Sequence, residues 1–322
     1  MRPNDGFCLM SIAAIVIGRN EGARLIACLD ALQAVAPVIY VDSGSTDGSV
    51  AAAQARGAQV VSLDMTQPFT AARARNAGLA ALPQDIALVQ FLDGDCVVQG
   101  GWVSRAAAFL AEHPDVAIVC GRRREIYPDV SVYNALIDAE WDTPVGEAKA
   151  CGGDALMRVA ALRAVAGYRD DLIAGEEPEL CVRLRRAGWK IWRLDAEMTA
   201  HDAQITRFGQ WWQRTKRAGH AFAEGAALHG AAPERHWVKE TRRALLWGAL
   251  VPLVVVLFAV VAGPWGLLAA LVYPAQVLRL SRRDGLAAAF FSVLGKFAEA
   301  QGALGYYWRR LTGGQKRLIE YK

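Results

Sequence analysis

The sequence predicts an α/β fold with a mostly parallel central sheet, followed by a helical region. Short apolar runs alternate with helical patterns from residue 12 onward, and this β-α-β alternation favours parallel strands. The strand runs are almost wholly apolar, as expected for strands that are buried on both faces. With 322 residues and 53% apolar composition, the chain can bury a sizeable core.

The first β-α-β unit places polar groups at the ends of its strands. Residues 12–17 form the first predicted strand, and polar residues 19–21 follow it. A helix over residues 21–34 then leads through a turn at Pro37 into the second strand, residues 38–41. Because open α/β sheets bind ligands at the carboxyl ends of their strands, a ligand site is expected at this edge.

A polar loop follows the second strand at residues 42–49, with the sequence Asp-Ser-Gly-Ser-Thr-Asp-Gly-Ser. Its amides, hydroxyls and strand-end carboxylate are suited to binding a nucleotide. An ordinary loop in which Thr46 or Asp47 caps the next helix explains the same residues. The loop alone leaves both interpretations open.

Two later segments carry charged groups. After a third strand at residues 59–63, a helix begins at Thr70 and carries Arg75 near its start, where it could bind a pyrophosphate or simply be solvated. The fourth strand, residues 86–92, runs into Asp-Gly-Asp at residues 93–95. Carboxylates at such a strand end suit Mg²⁺ or Mn²⁺, although Asp and Gly also form ordinary turns.

The next segments contain arginines and paired acids. A helix over residues 101–112 and a strand over residues 116–120 precede arginines 122–124, which we leave outside the site because a solvated sheet edge explains them as readily. Glu176 and Glu177 begin a helix that Gly188 ends. Acids in the first turn of a helix can serve chemistry or only complement the helix dipole.

The ordered set of motifs resembles glycosyltransferase family 2, which has the GT-A fold. The resemblance is carried by residues 41–49 and by Phe-Leu-Asp-Gly-Asp at residues 91–95. It implies that Asp42 and Glu21 bind uracil and ribose and that Arg75 approaches the nucleotide. The loop differs from the commoner Val-Asp-Asp-Gly-Ser form by having Ser at residue 43.

The same resemblance implies a metal and sugar site. Asp93 and Asp95 would hold Mg²⁺ or Mn²⁺ on the donor diphosphate, and His201 would be a late metal ligand. The Gly-Gly segment at Gly153 and Asp154 would line the donor sugar, although a plain tight turn also explains it.

The resemblance further assigns the catalytic base. Inverting transfer needs a base for the acceptor hydroxyl. Family members usually carry Glu-Asp, with the second acid as base, so Glu177 takes this role here and Glu176 is the alternative. Arg217 is expected to close over the diphosphate.

The carboxyl-terminal region predicts membrane association. Residues 245–278 carry no charge and contain Gly263-Pro264, and basic residues flank both ends. This pattern predicts a helical hairpin, spanning or re-entrant, with both ends cytoplasmic, whereas a buried hairpin of a soluble domain is the rival interpretation. Residues 285–311 resemble an interfacial amphipathic helix. We therefore predict a catalytic domain over residues 1–230 and a membrane-associated region over residues 231–322.

Charge and cysteine content narrow the class of protein. From Trp237 onward the chain has twelve Lys or Arg residues and four acids, which together with the apolar stretch favours an anionic membrane surface over nucleic acid. The six cysteines, including Cys8, lack Cys-x-x-Cys spacing, so neither zinc nor a disulfide framework is expected. The run from Phe7 to Ile17 lacks a signal-peptide cleavage site, so we expect the catalytic part to face the cytosol.

The leading prediction is a metal-dependent inverting glycosyltransferase at the cytoplasmic membrane face. It would move a sugar from a UDP-sugar to a lipid-linked (polyprenyl) or glycan acceptor in polysaccharide or glycolipid assembly. A sugar nucleotidyltransferase is one alternative, but it would need a glycine-rich, basic triphosphate loop near the start of the chain, where Arg-Asn-Glu stands instead. A non-catalytic membrane scaffold with the same fold is the other.

Overall fold

The computed structural model describes residues 10–314, 318 and 319. Cys8, Phe7 and the other residues before Met10 that entered the sequence analysis lie outside this part of the chain, as does Glu320. By contacts the described chain forms two units. The first contains residues up to Ile126 with Glu140–Leu172 and Glu176–Ala203, and the second contains Tyr127–Ala139, Ile173–Gly175 and the residues from Gln204 onward.

The predicted domain boundary near residue 230 differs from this division. Residues 204–230, which the sequence assigns to the catalytic domain, group by contact with the carboxyl-terminal helices. The reason is a long helix in this stretch that packs along the last helix of the chain, as described below.

The first half of the sheet is parallel, as predicted. Strands β1 (Ile12–Gly18), β2 (Val38–Asp42), β3 (Gln59–Ser62) and β4 (Leu88–Asp93) lie in the order β3-β2-β1-β4, and every pairing among them is parallel. Helices α1 (Ala23–Asp30), α2 (Ser49–Ala55) and α3 (Ala71–Ala81) connect them. The predicted first β-α-β unit is therefore confirmed.

The second half of the sheet is mixed. It contains β5 (Cys96–Val98), β6 (Val116–Glu125), β7 (Gly146–Ala148), β8 (Leu156–Arg158) and β9 (Lys190–His201). The sheet continues from β4 in the order β8-β6-β9-β5, and β7 also pairs with β9. Only β6 and β9 pair in parallel, whereas β8, β5 and β7 are antiparallel to their neighbours. Three-residue strands show no alternation that a sequence pattern could identify.

The first unit also contains helices α4 (Trp102–Glu112), α6 (Val159–Ala164) and α7 (Glu176–Arg186). The 3-10 turn at Pro128–Val130 and nearly all of helix α5 (Val132–Glu140) belong to the second unit. Strand β6 is longer than predicted because it continues through charged residues, and arginines 122–124 lie within it, paired with β9.

Helix α3 packs directly on the sheet through a glycine. A Cβ atom at Gly78 would lie 2.5 Å from Cγ2 of Ile15, so the helix backbone approaches the sheet more closely than a larger residue permits. Thr70 caps the start of α3, since its Oγ1 accepts a hydrogen bond from the Arg73 amide at 3.1 Å. These contacts place Arg75, one turn into α3, under the carboxyl end of β4.

The second unit is helical. It contains α8 (Phe208–His229), α9 (Val238–Leu245), a π turn (Leu246–Leu250), α10 (Val251–Ala262), a 3-10 segment (Gly263–Leu271), α11 (Val272–Asp284) and α12 (Leu286–Thr312). Helices α8 and α12 touch through glycines. A Cβ at Gly219 would lie 2.0 Å from the Glu299 carbonyl oxygen, and one at Gly302 would lie 2.0 Å from the Lys216 carbonyl oxygen.

The predicted hairpin is present in this unit. The chain reverses at Gly263, whose φ is +64°, so that Gly266 lies against the backbone of Phe258. The Tyr273 hydroxyl donates a hydrogen bond to the Trp247 carbonyl at 2.7 Å, which pairs the far ends of the two arms. The helical stretch Val238–Asp284 is long and apolar enough to cross a membrane by length and composition, and only 6% of its most apolar window is buried.

Candidate active site

The predicted nucleoside residue Asp42 lies at the end of β2, in register with Gly18 of β1. It is 5% exposed, and one carboxylate oxygen accepts hydrogen bonds from the amides of Gly44 and Ser45, each at 3.0 Å. The other oxygen accepts a hydrogen bond from the Tyr40 hydroxyl at 3.0 Å. Asp42 therefore shapes the loop after β2, and its contact with a nucleoside stays a prediction.

Glu21 lies beside the acidic turn. Its Cγ is 3.1 Å from the point that a Cβ at Gly94 would occupy, so a side chain at residue 94 would press on Glu21. Its Oε2 is 2.7 Å from Nη2 of Arg24. The structure thus brings Glu21 to the same edge as the turn, and its predicted ribose or uracil contact stays a prediction.

The acidic turn contributes to a candidate metal centre. One ligand atom each of Asp95, Cys96 and His201 lies within 4.8 Å of the others, and all three residues are buried. Asp95 Oδ1 is 3.2 Å from His201 Nε2, and Cys96 is the register partner of His201 across β5 and β9. Carboxylate oxygen and imidazole nitrogen together fit a divalent cation. Asp93 stands outside this cluster.

Asp93 instead contacts arginines. Its side chain is 32% exposed, and its Oδ1 is 2.9 Å from Nη2 of Arg75 while its Oδ2 is 3.7 Å from Nη2 of Arg123. The two carboxylates of the turn therefore differ in surroundings. Asp95 faces the imidazole, whereas Asp93 remains partly accessible for a ligand.

Arg75 joins the acidic turn to the paired acids of α7. Its guanidinium is 2% exposed, and Nη1 lies 3.0 Å from Glu176 Oε1 and 2.9 Å from Glu177 Oε1. With Asp93, three carboxylates surround one buried cation. The predicted contact of Arg75 with a nucleotide stays a prediction. The sequence alone does not reveal this link between α3, β4 and α7.

Glu177 has the properties of a base. The pKa of Glu177 is raised to about 7, chiefly by burial and then by the neighbouring carboxylate of Glu176, while the guanidinium of Arg75 opposes the rise. A carboxylate with a pKa near neutrality is well matched to accept a proton at physiological pH. The Glu177 side chain is also more exposed than that of Glu176, 13% against 6%, which favours Glu177 as the group that meets an acceptor.

The Gly-Gly segment approaches this cluster through its backbone. A Cβ at Gly153 would lie 2.3 Å from Arg75 Nη2 and 2.9 Å from Glu177 Oε1, so a larger residue here would displace one of these two side chains. Asp154 is 0% exposed, and its carboxylate accepts hydrogen bonds from Arg123 and from the Thr199 hydroxyl. Its predicted sugar contact would have to displace one of these partners.

Arg123 and Trp141 are site residues that the sequence analysis missed. Arg123 contacts both Asp93 and Asp154, and its Cζ lies 5.0 Å from the centroid of the Trp141 ring. Trp141 in turn meets the His201 ring edge to face, with centroids 4.8 Å apart. The alternation of side chains along β6 could have distinguished Arg123 from Arg122 and Arg124, because successive side chains of a strand point to opposite faces.

Arg217 lies on α8 in the second unit, and its predicted contact with the diphosphate stays a prediction. Two nearby aromatic and basic groups are engaged within that unit. His220 is 1% exposed, and its Nδ1 lies 2.7 Å from Nη2 of Arg309. Trp211 is 6% exposed and packs on Tyr133.

The part of the chain that contains the loop after β2 and the acidic turn is similar to a known protein family. Residues 13–157 match the family model described as Glycosyl transferase family 2. Residues 13–157 of this chain are therefore similar to family 2 glycosyltransferases. The motifs from Glu21 to Asp154 all fall within the matched residues, whereas Glu176, Glu177 and His201 follow them.

Similar solved structures show that the fold of this chain is GT-A. The mannosyltransferase PcManGT from Pyrobaculum calidifontis, solved with GDP-Man and Mn²⁺, has a TM-score of 0.63 at 19% identity, over 93% of this chain and 88% of that chain. Glucosyl-3-phosphoglycerate synthase from Mycobacterium tuberculosis, solved with Mn²⁺, UDP and glucosyl-3-phosphoglycerate, has a TM-score of 0.50 at 19% identity, over 69% of this chain and 80% of that chain.

Curated proteins are similar to this chain over part of its length. The pre-mycofactocin glycosyltransferase of Mycobacterium tuberculosis (strain H37Rv) is 28% identical over 71% of this chain and 50% of its own length. The succinoglycan biosynthesis protein ExoA of Rhizobium meliloti is 28% identical over 52% of this chain and 49% of its own length. The chain therefore spans about half the length of these relatives.

Proposed function

We propose that this protein is a metal-dependent inverting glycosyltransferase that uses a nucleoside diphosphate sugar as donor. The observation that carries the proposal is the contact of one buried cation, Arg75, with Asp93 of the acidic turn and with both acids of α7. A donor held at the turn and an acceptor oxygen at Glu177 would then be neighbours. The similarity to family 2 glycosyltransferases supports the same reaction class.

The proposed reaction transfers one proton and exchanges one covalent bond at the anomeric carbon. The acceptor hydroxyl gives its proton to the Glu177 carboxylate as its oxygen bonds to the anomeric carbon of the donor. The bond from that carbon to the diphosphate oxygen breaks on the opposite side, and its electron pair leaves with the nucleoside diphosphate. Arg75 holds Glu177 in place for this transfer.

The donor diphosphate requires positive charge. A divalent cation, Mg²⁺ or Mn²⁺, held by Asp95 and His201, would neutralise charge that develops on the leaving group. Asp93 remains beside this centre as a further ligand for the cation or the donor. Two solved structures of this fold contain Mn²⁺, one with GDP-Man and the other with UDP, which supports a nucleotide donor. We propose that the nucleotide of the donor is UDP.

We place the acceptor at the cytoplasmic face of a membrane, as a lipid-linked or growing glycan. The support is the exposed apolar hairpin and the basic residues at both of its ends. Basic flanks favour the cytoplasmic side. The name of the succinoglycan biosynthesis relative supports a role in polysaccharide synthesis.

A donor screen tests the reaction. The full-length protein in detergent is supplied with UDP-sugars and GDP-sugars, Mn²⁺ and membrane lipid extract, and released nucleoside diphosphate is measured with and without chelator. We expect Glu177→Gln to lower turnover by roughly 10²–10⁴-fold, the range of general-base catalysis, while nucleotide binding is kept. Asp95→Ala should remove metal-dependent nucleotide binding, and Glu112→Gln, on the exposed face of α4, is the matched control.

The outcomes separate the alternatives. Turnover that survives both Asp95→Ala and Glu177→Gln contradicts the proposed site. Release of inorganic pyrophosphate from a nucleoside triphosphate and a sugar phosphate would instead identify a nucleotidyltransferase. Absence of metal-dependent nucleotide binding, measured by calorimetry, would point to a non-catalytic scaffold.

A further inference from the structure

A basic cavity lies in the second unit, where α9 leads into the apolar hairpin. Its volume is about 290 Å³, and it is lined by Arg235, Val238, Lys239, Arg242, Arg243 and Leu246. Four of these residues are cationic, two are aliphatic, and none is acidic. The cavity contains none of the residues assigned to sugar transfer.

The four cations of this cavity are available to a ligand. Among the residues that the structure describes, the side chains of Arg235, Lys239, Arg242 and Arg243 form no hydrogen bond or ion pair. All four are exposed. Elsewhere in the same unit basic side chains have acidic partners, as where Arg283 pairs with Asp284 at 2.7 Å and Lys296 with Glu299 at 2.7 Å. Concentrated, unneutralised positive charge attracts anions.

Helical spacing gathers the lining residues on one face. Lys239, Arg242 and Leu246 follow one another at intervals of three and four residues, which places them side by side on a helix. Leu246 begins the π turn, and the uncharged arm of the hairpin continues from there. The cations therefore stand at the end of an apolar segment, at the level that a lipid headgroup occupies when such a segment enters a bilayer.

We propose that this cavity binds the phosphate of an anionic lipid headgroup. Arginine guanidinium groups present paired N–H donors that match phosphate oxygens, and three arginines with one lysine converge here. Val238 and Leu246 offer apolar contact to the part of the lipid next to the phosphate. The inference rests on the proposed membrane attachment, but a phosphate site in the protein can be measured without a bilayer.

The test uses the full-length protein in detergent micelles. Native mass spectrometry titrates it with dioctanoyl phosphatidic acid, with zwitterionic dioctanoyl phosphatidylcholine, and with sodium phosphate as competitor. The cavity variant is Lys239→Gln combined with Arg242→Gln. The control, Arg279→Gln combined with Arg282→Gln, removes the same charge from the other end of the hairpin and leaves the cavity intact. Thermal melting checks that both variants fold.

The expected result is selective. Two lost charge-assisted hydrogen bonds should weaken phosphatidic acid binding by roughly tenfold or more in the cavity variant, with less than about a twofold change in the control. Equal weakening in both variants would mean diffuse attraction and would overturn the site. Equal binding of phosphatidylcholine would overturn the headgroup assignment, and sodium phosphate that binds as tightly as the lipid would assign the cavity to free phosphate instead.

Failure of this inference is distinguishable from failure of the proposed function. Sugar transfer is read out by released nucleoside diphosphate and depends on Asp95 and Glu177, which are not part of the cavity. Loss of lipid binding with intact donor turnover contradicts the cavity site alone. Intact lipid binding without donor turnover contradicts the proposed reaction alone.

Discussion

At the residue scale, Arg75 decides the chemistry of its neighbours. A buried cation is costly unless it is paired, and Arg75 is paired with three carboxylates. One positive charge cannot fully neutralise three negative ones, so Glu176 and Asp93 raise the proton affinity of Glu177. The pKa of Glu177, raised to about 7, expresses this imbalance together with burial.

The raised pKa of Glu177 predicts the pH dependence of sugar transfer. The base must be ionised, so kcat/KM should fall as pH drops through about 7. Arg75→Lys should move this limb to higher pH, because the guanidinium opposes the pKa rise. The stability of the folded protein changes with pH in the opposite direction to activity. Since the folded pKa exceeds the ordinary value of 4.5, the contribution of Glu177 to stability is present below 4.5 and lost as pH rises through about 7.

Steady-state kinetics over a pH series would check the activity limb in the wild type and the Arg75 variant. An acid limb near 4.5 in the wild type would contradict the assignment of Glu177. A limb that stays in place in Arg75→Lys would show that Arg75 does not act on the base.

Arg123 is the second residue whose surroundings determine its role. Asp154 and Trp141 fix its guanidinium, and it lies 3.7 Å from the partly exposed Asp93. A guanidinium held in this way has little freedom to lose when an anion binds. It is therefore suited to contact the donor diphosphate at the acidic turn.

We expect Arg123→Gln to weaken nucleoside diphosphate binding by about 1.5–3 kcal/mol, the worth of a hydrogen bond to a charged group. Arg124→Gln is the matched control, because Arg124 is the next residue of β6, is 53% exposed and pairs with Glu197. It should change binding little. Calorimetric titration with UDP and Mn²⁺ measures both variants, and equal losses would mean that only net charge matters.

At the element scale, the loop before β8 reaches the site through its backbone. Gly153 lies against Arg75 and Glu177 with no room for a Cβ, whereas a Cβ at Gly152 would meet only Asp154 Oδ1 at 3.8 Å, an ordinary contact. The loop backbone therefore approaches Glu177 closely at Gly153 and not at Gly152. Adjacent glycines in a motif can thus have unequal roles.

Alanine substitution tests this difference. Gly153→Ala should displace Arg75 or Glu177 by about an ångström and lower turnover by roughly a hundredfold, since misplacement on that scale has such an effect. Gly152→Ala should stay close to wild type. Turnover of both variants is compared with their melting temperatures, and equal activity in the two variants would refute the proposed approach of the loop.

At the scale of the whole molecule, the hairpin geometry bears on membrane insertion. An α-helix rises 1.5 Å per residue and a 3-10 helix about 2.0 Å, so the return arm through Gly263–Leu271 covers more depth per residue than the first arm. Each arm of the uncharged stretch then reaches about 28 Å, close to the roughly 30 Å of a bilayer core. Thirty-four residues can therefore nearly span a membrane twice.

A charge in the first arm tests insertion. Val256 is 58% exposed, and an arginine in the middle of a membrane segment costs about 2.5–3.5 kcal/mol. We expect Val256→Arg to lower the fraction of protein that floats with liposomes. Val130→Arg, at a position 63% exposed outside the hairpin, should not. If both variants float like wild type, the hairpin does not enter the bilayer.

The sequence by itself determined the parallel strands of the first half of the sheet, the acidic turn, the paired acids and the hairpin. These features rest on local patterns: apolar runs of strand length, glycine punctuation and an uncharged stretch with a Gly-Pro break. Such patterns are readable because the residues that define them are neighbours in the chain. The motif order, from residue 42 to His201, then suggested the family.

Only the tertiary structure decided which charges meet. Arg75 and Glu177 are about a hundred residues apart, and Arg123 contacts Asp154 through β6 rather than lying on a solvated edge. Side-chain partners depend on strand pairing and helix packing, and the three-residue strands that set this pairing leave no periodic signal. Electrostatic roles therefore emerge only when the sheet is assembled, since charge interactions fall off with distance in space and not along the chain.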